Sequence, residues 1–179
     1  MNVIKAETFT TFPEALLKEV KVTCGLRRAD RFTVLAVAAV KMAFPERFPH
    51  FLDPDTGLVT TSSFGPHKTA FANLDGMLDY PEDQILPTCF SHSVHNAVTS
   101  YLGTMLGITG PAFAITNFEH PMDEAMNLAE TLLAAHLCSR LLVVAVEEDG
   151  LLPQSALPYW QPRFQTRLQE AVSVFLTTT

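Results

Sequence analysis

Apolar positions along the chain recur with two distinct periods. Leu141 to Val146 is an unbroken apolar run, the pattern of a strand buried on both faces. Gly57 to Ser62 (GLVTTS) is β-rich and reads as a central strand. Pro111 to Thr116 is a short apolar run after the turn Gly107-Ile108-Thr109-Gly110, and it also reads as a strand. Val3 to Phe9 and Val172 to Thr177 predict a first and a last strand.

Between these runs the period changes to that of a helix. Leu16, Leu17 and Val20 share one face of a short helix over Pro13 to Val20. Asp30 is a fair N-cap for a helix through Met42, with Val34, Leu35, Ala38 and Met42 on a common face. Ala70 to Leu78 reads as helix after the turn Phe64-Gly65-Pro66-His67. Ser91 to Leu106 has helical spacing at Val94, Val98, Leu102 and Met105. Met122 to Ser139 places Met126, Ala129, Leu132, Leu133 and Leu137 on one face. Helices alternating with apolar strands predict an α/β fold, a mixed and mostly parallel sheet flanked by helices. After Val146 comes a proline-rich connection holding Pro153, Pro158, Pro162 and Trp160.

Composition narrows the functional classes. A chain of 179 residues predicts one domain over 1–179 with a substantial core. Hydrophobic residues make up 47% and charged residues 17%, so little polar surface is left over, which points to apolar surface that meets a partner. The net charge of −7, with no run of Lys or Arg, argues against nucleic-acid binding. Cys24, Cys89 and Cys138 have no CxxC spacing, which argues against a disulfide framework or structural zinc and for buried thiols in a reducing cytoplasm. Met1 to Thr11 has no signal-peptide pattern, and no apolar run reaches the roughly 20 residues that span a bilayer, so a cytoplasmic protein without a membrane segment is expected.

Three stretches carry a family resemblance: Pro87-Thr88-Cys89-Phe90 with Asn96, Gly110-Pro111-Ala112-Phe113-Ala114-Ile115, and the small-residue helix leading into Leu141–Glu147. In their order and spacing they resemble the N-terminal half of a β-ketoacyl synthase of the thiolase fold. The similarity is closest to the ketoacyl-synthase-like and chain-length-factor-like proteins of bacterial polyketide and aryl-polyene type pathways. It covers roughly Gly25 to Glu148 and reaches toward the last strand. It implies a thiolase-like half-domain whose final strand runs antiparallel at or near the sheet edge. It also implies a nucleophilic cysteine on the turn after the Gly-Pro strand. Counting from Gly110-Pro111, that position falls on Glu119, and the family's two histidines belong to a half this chain lacks. The resemblance therefore implies no condensing activity.

The candidate chemistry follows from these positions. Glu119 and His120 are the candidate catalytic pair, on the turn that leads into a helix, where the helix dipole attracts anions. The plainer reading is that Glu119 and Asp123 favour the positive helix end. Cys89, Phe90, His92, His95 and Asn117 are the candidate binding cleft. His92 and His95 stand three apart on the predicted helix 91–106, so they share a side, but no third metal ligand has a recognised spacing, and no metal is expected. Cys89 reads as a structural thiol. Without GxGxxG, a Walker loop or GxSxG, no cofactor is expected.

Three functions are compatible with this reading. The first is a catalytically silent synthase-like subunit that pairs with a synthase or with itself in fatty acid or polyketide assembly, through the strand Pro111–Asn117 and the helix Ser91–Leu106. The second is a small enzyme, such as a malonyl-carrier decarboxylase, using Glu119 with nearby histidines. The third is a binding module for an acyl group or acyl carrier protein, against which the acidic balance argues because carrier proteins are acidic too.

Overall fold

The computed structural model describes residues 1–50, 52–85, 87–150, 152 and 170–179, without the side chains of Glu82 and Cys89. The proline-rich connection with Pro153, Pro158, Trp160 and Pro162 lies outside the described residues. Five strands form one sheet: β1 (Asn2–Phe9), β2 (Gly57–Ser62), β3 (Ala112–Thr116), β4 (Arg140–Glu147) and β5 (Ala171–Thr178). Their spatial order is β1-β5-β4-β2-β3. β2 pairs in parallel with both β3 and β4, whereas β5 runs antiparallel between β4 and β1. The sheet is thus mixed, and the final strand is antiparallel near the edge, as the family resemblance implies. The three strands 57–62, 111–116 and 141–146 lie side by side in it.

Six helices flank the sheet: α1 (Glu14–Thr23), α2 (Arg31–Ala43), α3 (His67–Asp79), α4 (Pro87–His92), α5 (Ala97–Leu106) and α6 (Pro121–Ala134). The Asp30 carboxylate accepts the Thr33 N–H at 3.1 Å, capping α2 as its sequence predicts. The period of two sorts the strand residues between two cores. Leu58, Leu142, Val144, Val172 and Val174 pack with α2 and α5 on one face. Val59, Leu141 and Val143 pack with Ala125, Ala129 and Leu133 of α6 on the other.

Two helical expectations need correction. The helix predicted over 91–106 is two helices, broken between His92 and Ala97. Ser91 and Ser93 donate their hydroxyls to the carbonyls of Thr88 and Phe90, three residues back, and this local bonding competes with continuing the helix. The helix predicted to reach Ser139 stops at Ala134. His136 takes a left-handed backbone (φ 55°), and the His136 and Leu137 N–H groups close back on the carbonyls of Leu133 and Leu132 at 3.1 Å. Leu137 therefore leaves the apolar face and is 60% exposed. α3 starts three residues earlier than its periodicity predicts, at His67. No helix among the described residues is long and apolar enough to cross a membrane.

Candidate functional site

The parallel strands β2, β3 and β4 end on the same side of the sheet. The chain leaves β2 toward α3 and leaves β3 toward α6, which packs on the face of Val59, Leu141 and Val143. Loops that diverge after adjacent parallel strands open a crevice, which is where open α/β sheets bind their ligands. Here the crevice runs between 62–67 and 117–120.

Threonines of β2 set its walls. Thr60 Oγ1 lies 2.6 Å from Thr99 Oγ1 of α5, and Thr61 Oγ1 donates to the Pro121 carbonyl of α6 at 2.9 Å. Adjacent strand residues face opposite sides, so each ties one flanking helix to the central strand.

Beyond Ser62 the backbone turns sharply. The Ser62 hydroxyl accepts the Gly65 N–H at 2.7 Å and donates to Glu147 Oε2 at 3.2 Å. The other oxygen of Glu147 accepts the Ser63 N–H. Gly65 has φ +63°, and a Cβ there would stand 2.3 Å from two atoms of the His95 ring. Glycine is required by both the dihedral and the packed imidazole. Burial holds the His95 pKa below its ordinary value, against a hydrogen bond to the Phe64 backbone. The Phe64 ring bridges the crevice to Phe118, at a centroid distance of 6.1 Å.

Glu148 follows at the end of β4. Its Oε1 accepts the Lys68 N–H in the first turn of α3 at 2.9 Å and lies 3.4 Å from His67 Nδ1. Burial is the main cause that pushes the Glu148 carboxyl up to about 7, and burial likewise lowers the pKa of His67. Lys68 Nζ pairs with Asp149 instead.

The candidate catalytic pair sits on the opposite wall. Asn117 Oδ1 accepts the N–H groups of Glu119 and His120, each at 2.9 Å, and so shapes the turn before α6. His120 Nε2 lies 3.9 Å from Glu119 Oε2, and His120 Nδ1 lies 3.4 Å from Asp123 Oδ2, all in exposed positions.

The predicted cleft residues divide. Asn117 and His95 lie at the crevice. His92 does not share a helix with His95: it is the last residue of α4, and its Nε2 lies 2.9 Å from Tyr101 Oη. Phe90 is 61% exposed on α4. The Cys89 side chain lies outside the described residues. Sequence reasoning missed Glu147, Glu148 and His67 as members of the site. Two carboxylates directly after a doubly buried strand were the available signal, since that is where a parallel sheet presents functional groups.

No curated protein sequence matches the chain. Among solved structures it is similar to the ishigamide ketosynthase/chain length factor, with TM-score 0.71 and 17% identity over 87% of this chain and 45% of that one. It is also similar to a ketosynthase in complex with its chain length factor from Xenorhabdus doucetiae, with TM-score 0.70 and 15% identity over 99% of this chain and 79% of that one. A third structure, a type II polyketide synthase acyl-carrier protein in complex with its ketosynthase, gives TM-score 0.63 at 16% identity over 86% of this chain and 49% of that one. The chain thus spans under half the length of the first and third. The sequence profile of the beta-ketoacyl synthase N-terminal domain matches residues 22–178. With that match over most of its length, the chain belongs to the family of β-ketoacyl synthase N-terminal domains.

Proposed function

We propose that this protein is a catalytically silent, synthase-like subunit that pairs with a β-ketoacyl synthase, or with itself, in the assembly of fatty acyl or polyketide chains. The observation that carries the reading is Glu119. It occupies the turn after β3, where counting from Gly110-Pro111 sets the family's nucleophile. A carboxylate is a poor acyl acceptor beside a thiolate, so the turn keeps its site without its reaction. The open strand β3 beside it offers a surface for a partner. Its exposed Ala112, Phe113 and Ala114 border a groove of about 590 Å³ that reaches Thr99, Gly103 and Thr104 of α5. The subunit acts by completing a partner's assembly and shaping the space its acyl chain grows into.

The test has two parts. Incubated with a labelled acyl thioester, the protein should carry no acyl group on Glu119 or Cys89 by intact-mass measurement. Mixed with a β-ketoacyl synthase from the same genome neighbourhood, it should sediment as a joint species. An acyl-enzyme would restore the reading as a small enzyme built on Glu119 and His120. A 19.7 kDa monomer in every mixture would remove the subunit reading.

A further inference from the structure

A cleft of about 280 Å³ opens at the β1 end of the sheet. It is lined by Ile4 and Lys5 of β1, Leu176 of β5, Arg140 of β4, and Phe44 and Arg47 just after α2. Leu176 pairs with Leu142, whose side chain packs with α2, so the cleft lies on the α2 face. Arg140 is the first residue of β4, which puts the cleft at the opposite end of that strand from Glu147 and the crevice. β1 also precedes residues 22–178, the segment that matches the synthase family, so the cleft draws on a part of the chain outside that match.

An irregularity in β1 helps to form it. Val3 pairs with Thr177 and Lys5 with Leu176, which leaves Ile4 as an extra residue. Consecutive side chains of a regular strand point to opposite faces, but a bulge of this kind re-aims one of them. Ile4 and Lys5 therefore both reach the same cleft. The Lys5 ammonium lies 5.3 Å from the centre of the Phe44 ring, which holds it against the cleft wall.

The lining is of two kinds. Ile4, Phe44 and Leu176 make an apolar wall, on which Ile4 is left 54% exposed. Lys5, Arg47 and Arg140 bring cations, and no carboxylate is among the lining residues. Lys5 pairs with Glu7 at 2.8 Å and Arg140 with Asp53 at 3.1 Å, both at solvent-accessible positions where such pairs are weak. Arg47 is exposed and forms no ion pair with a described residue. Cations beside an apolar wall complement a ligand with a negative head and an aliphatic body. The volume holds about nine groups of the size of a water molecule, at about 30 Å³ each.

We propose that this cleft binds a short aliphatic carboxylate of about eight carbons, with its tail on Ile4, Phe44 and Leu176 and its head met by Arg47, Lys5 and Arg140. The inference stands apart from the subunit reading, because neither the crevice nor β3 contributes to the cleft.

Calorimetric titration with octanoate tests it, with 1-octanol and acetate as probes that lack the charged head and the tail. Octanoate should bind at least about tenfold more tightly than either. Arg47→Glu, at an exposed position, should weaken octanoate at least about tenfold, the effect of one charge-assisted contact. Ile4→Ser should weaken it too, through the tail. Arg28→Glu, an exposed reversal outside the cleft, and Phe118→Ala, in the crevice, should leave it unchanged, with thermal melts verifying that every variant folds. No binding of octanoate, or octanol binding as tightly, would overturn the assignment. So would octanoate binding that survives both Arg47→Glu and Ile4→Ser, or that is lost with Arg28→Glu or Phe118→Ala. Sedimentation with a synthase partner decides the subunit reading separately.

Discussion

His67 Nδ1 lies 3.4 Å from Glu148 Oε1, and the two side chains are only 3% and 1% exposed. The pair fastens the start of α3 to the end of β4, because Glu148 also holds the Lys68 N–H. Around it stand Asp30 at the α2 cap, whose charge raises the Glu148 pKa, and Asp149, which does the same.

This burial makes stability depend on pH. The Glu148 carboxyl rises from 4.5 to about 7 on folding, so its contribution is complete below about 4.5 and is lost as the pH rises through about 7. The His67 pKa moves the opposite way, so its contribution is present above 6.5 and is lost as the pH falls. Glu148→Gln keeps an oxygen for the Lys68 N–H and cannot ionise. The stability of wild type minus variant, from urea unfolding between pH 4.5 and 8, should fall by about 3 kcal/mol across that range. A flat difference would show that Glu148 ionises freely.

Gly65 and Gly25 both have positive φ, at +63° and +68°, but only Gly65 is met by a packed ring, that of His95. Gly25→Ala should cost about 1 kcal/mol for its backbone alone. Gly65→Ala must also displace the imidazole and should cost at least about 1 kcal/mol more. Equal losses in chemical denaturation would mean that His95 yields without penalty.

Leu142 is fully buried in the α2 face of β4, whereas Phe113 is 44% exposed on β3. Leu142→Ala should destabilise the chain by about 2–5 kcal/mol through lost burial and a residual cavity. Phe113→Ala should cost the monomer under about 0.5 kcal/mol. A large loss for Phe113→Ala in the monomer would mean that the edge is packed by this chain itself.

Ala114 is exposed at the centre of the open edge. Ala114→Glu should leave the melting temperature near wild type and abolish association with a synthase partner, because an unpaired charge buried at an interface costs several kcal/mol. Val22→Glu, at a position 67% exposed on α1, should leave association unchanged. Equal binding by both variants in sedimentation would remove β3 from the interface.

Local chemistry made most of the fold legible. The apolar run 141–146 can be stable only in the middle of a sheet, and the pattern GLVTTS marks β2 by the same logic, with each of its residues buried. The Asp30 cap was legible because it depends on a contact three residues away. Helix ends were less so. The period of 3.6 continues through Leu137, but the left-handed residue that ends α6 is His136, where sequence rules look for glycine. Ser91 and Ser93 likewise end a helix through bonds that spacing does not display.

The candidate site divides along the same line. Position along the chain was enough to mark Glu119, His120 and Asn117, because a polar turn after a strand and before a helix is a local feature. The buried carboxylates were decided only by tertiary structure. Glu147 and Ser62 are 85 residues apart in sequence and meet because β2 and β4 are neighbours, and Glu148 meets Lys68 across 80 residues for the same reason. The stretch without Lys or Arg between Lys68 and Arg140 is written in the sequence, but only the strand order places β3, which it contains, at the open edge of the sheet. A sequence fixes which groups a chain can bury, while the energy of burying them depends on neighbours that only the folded sheet supplies.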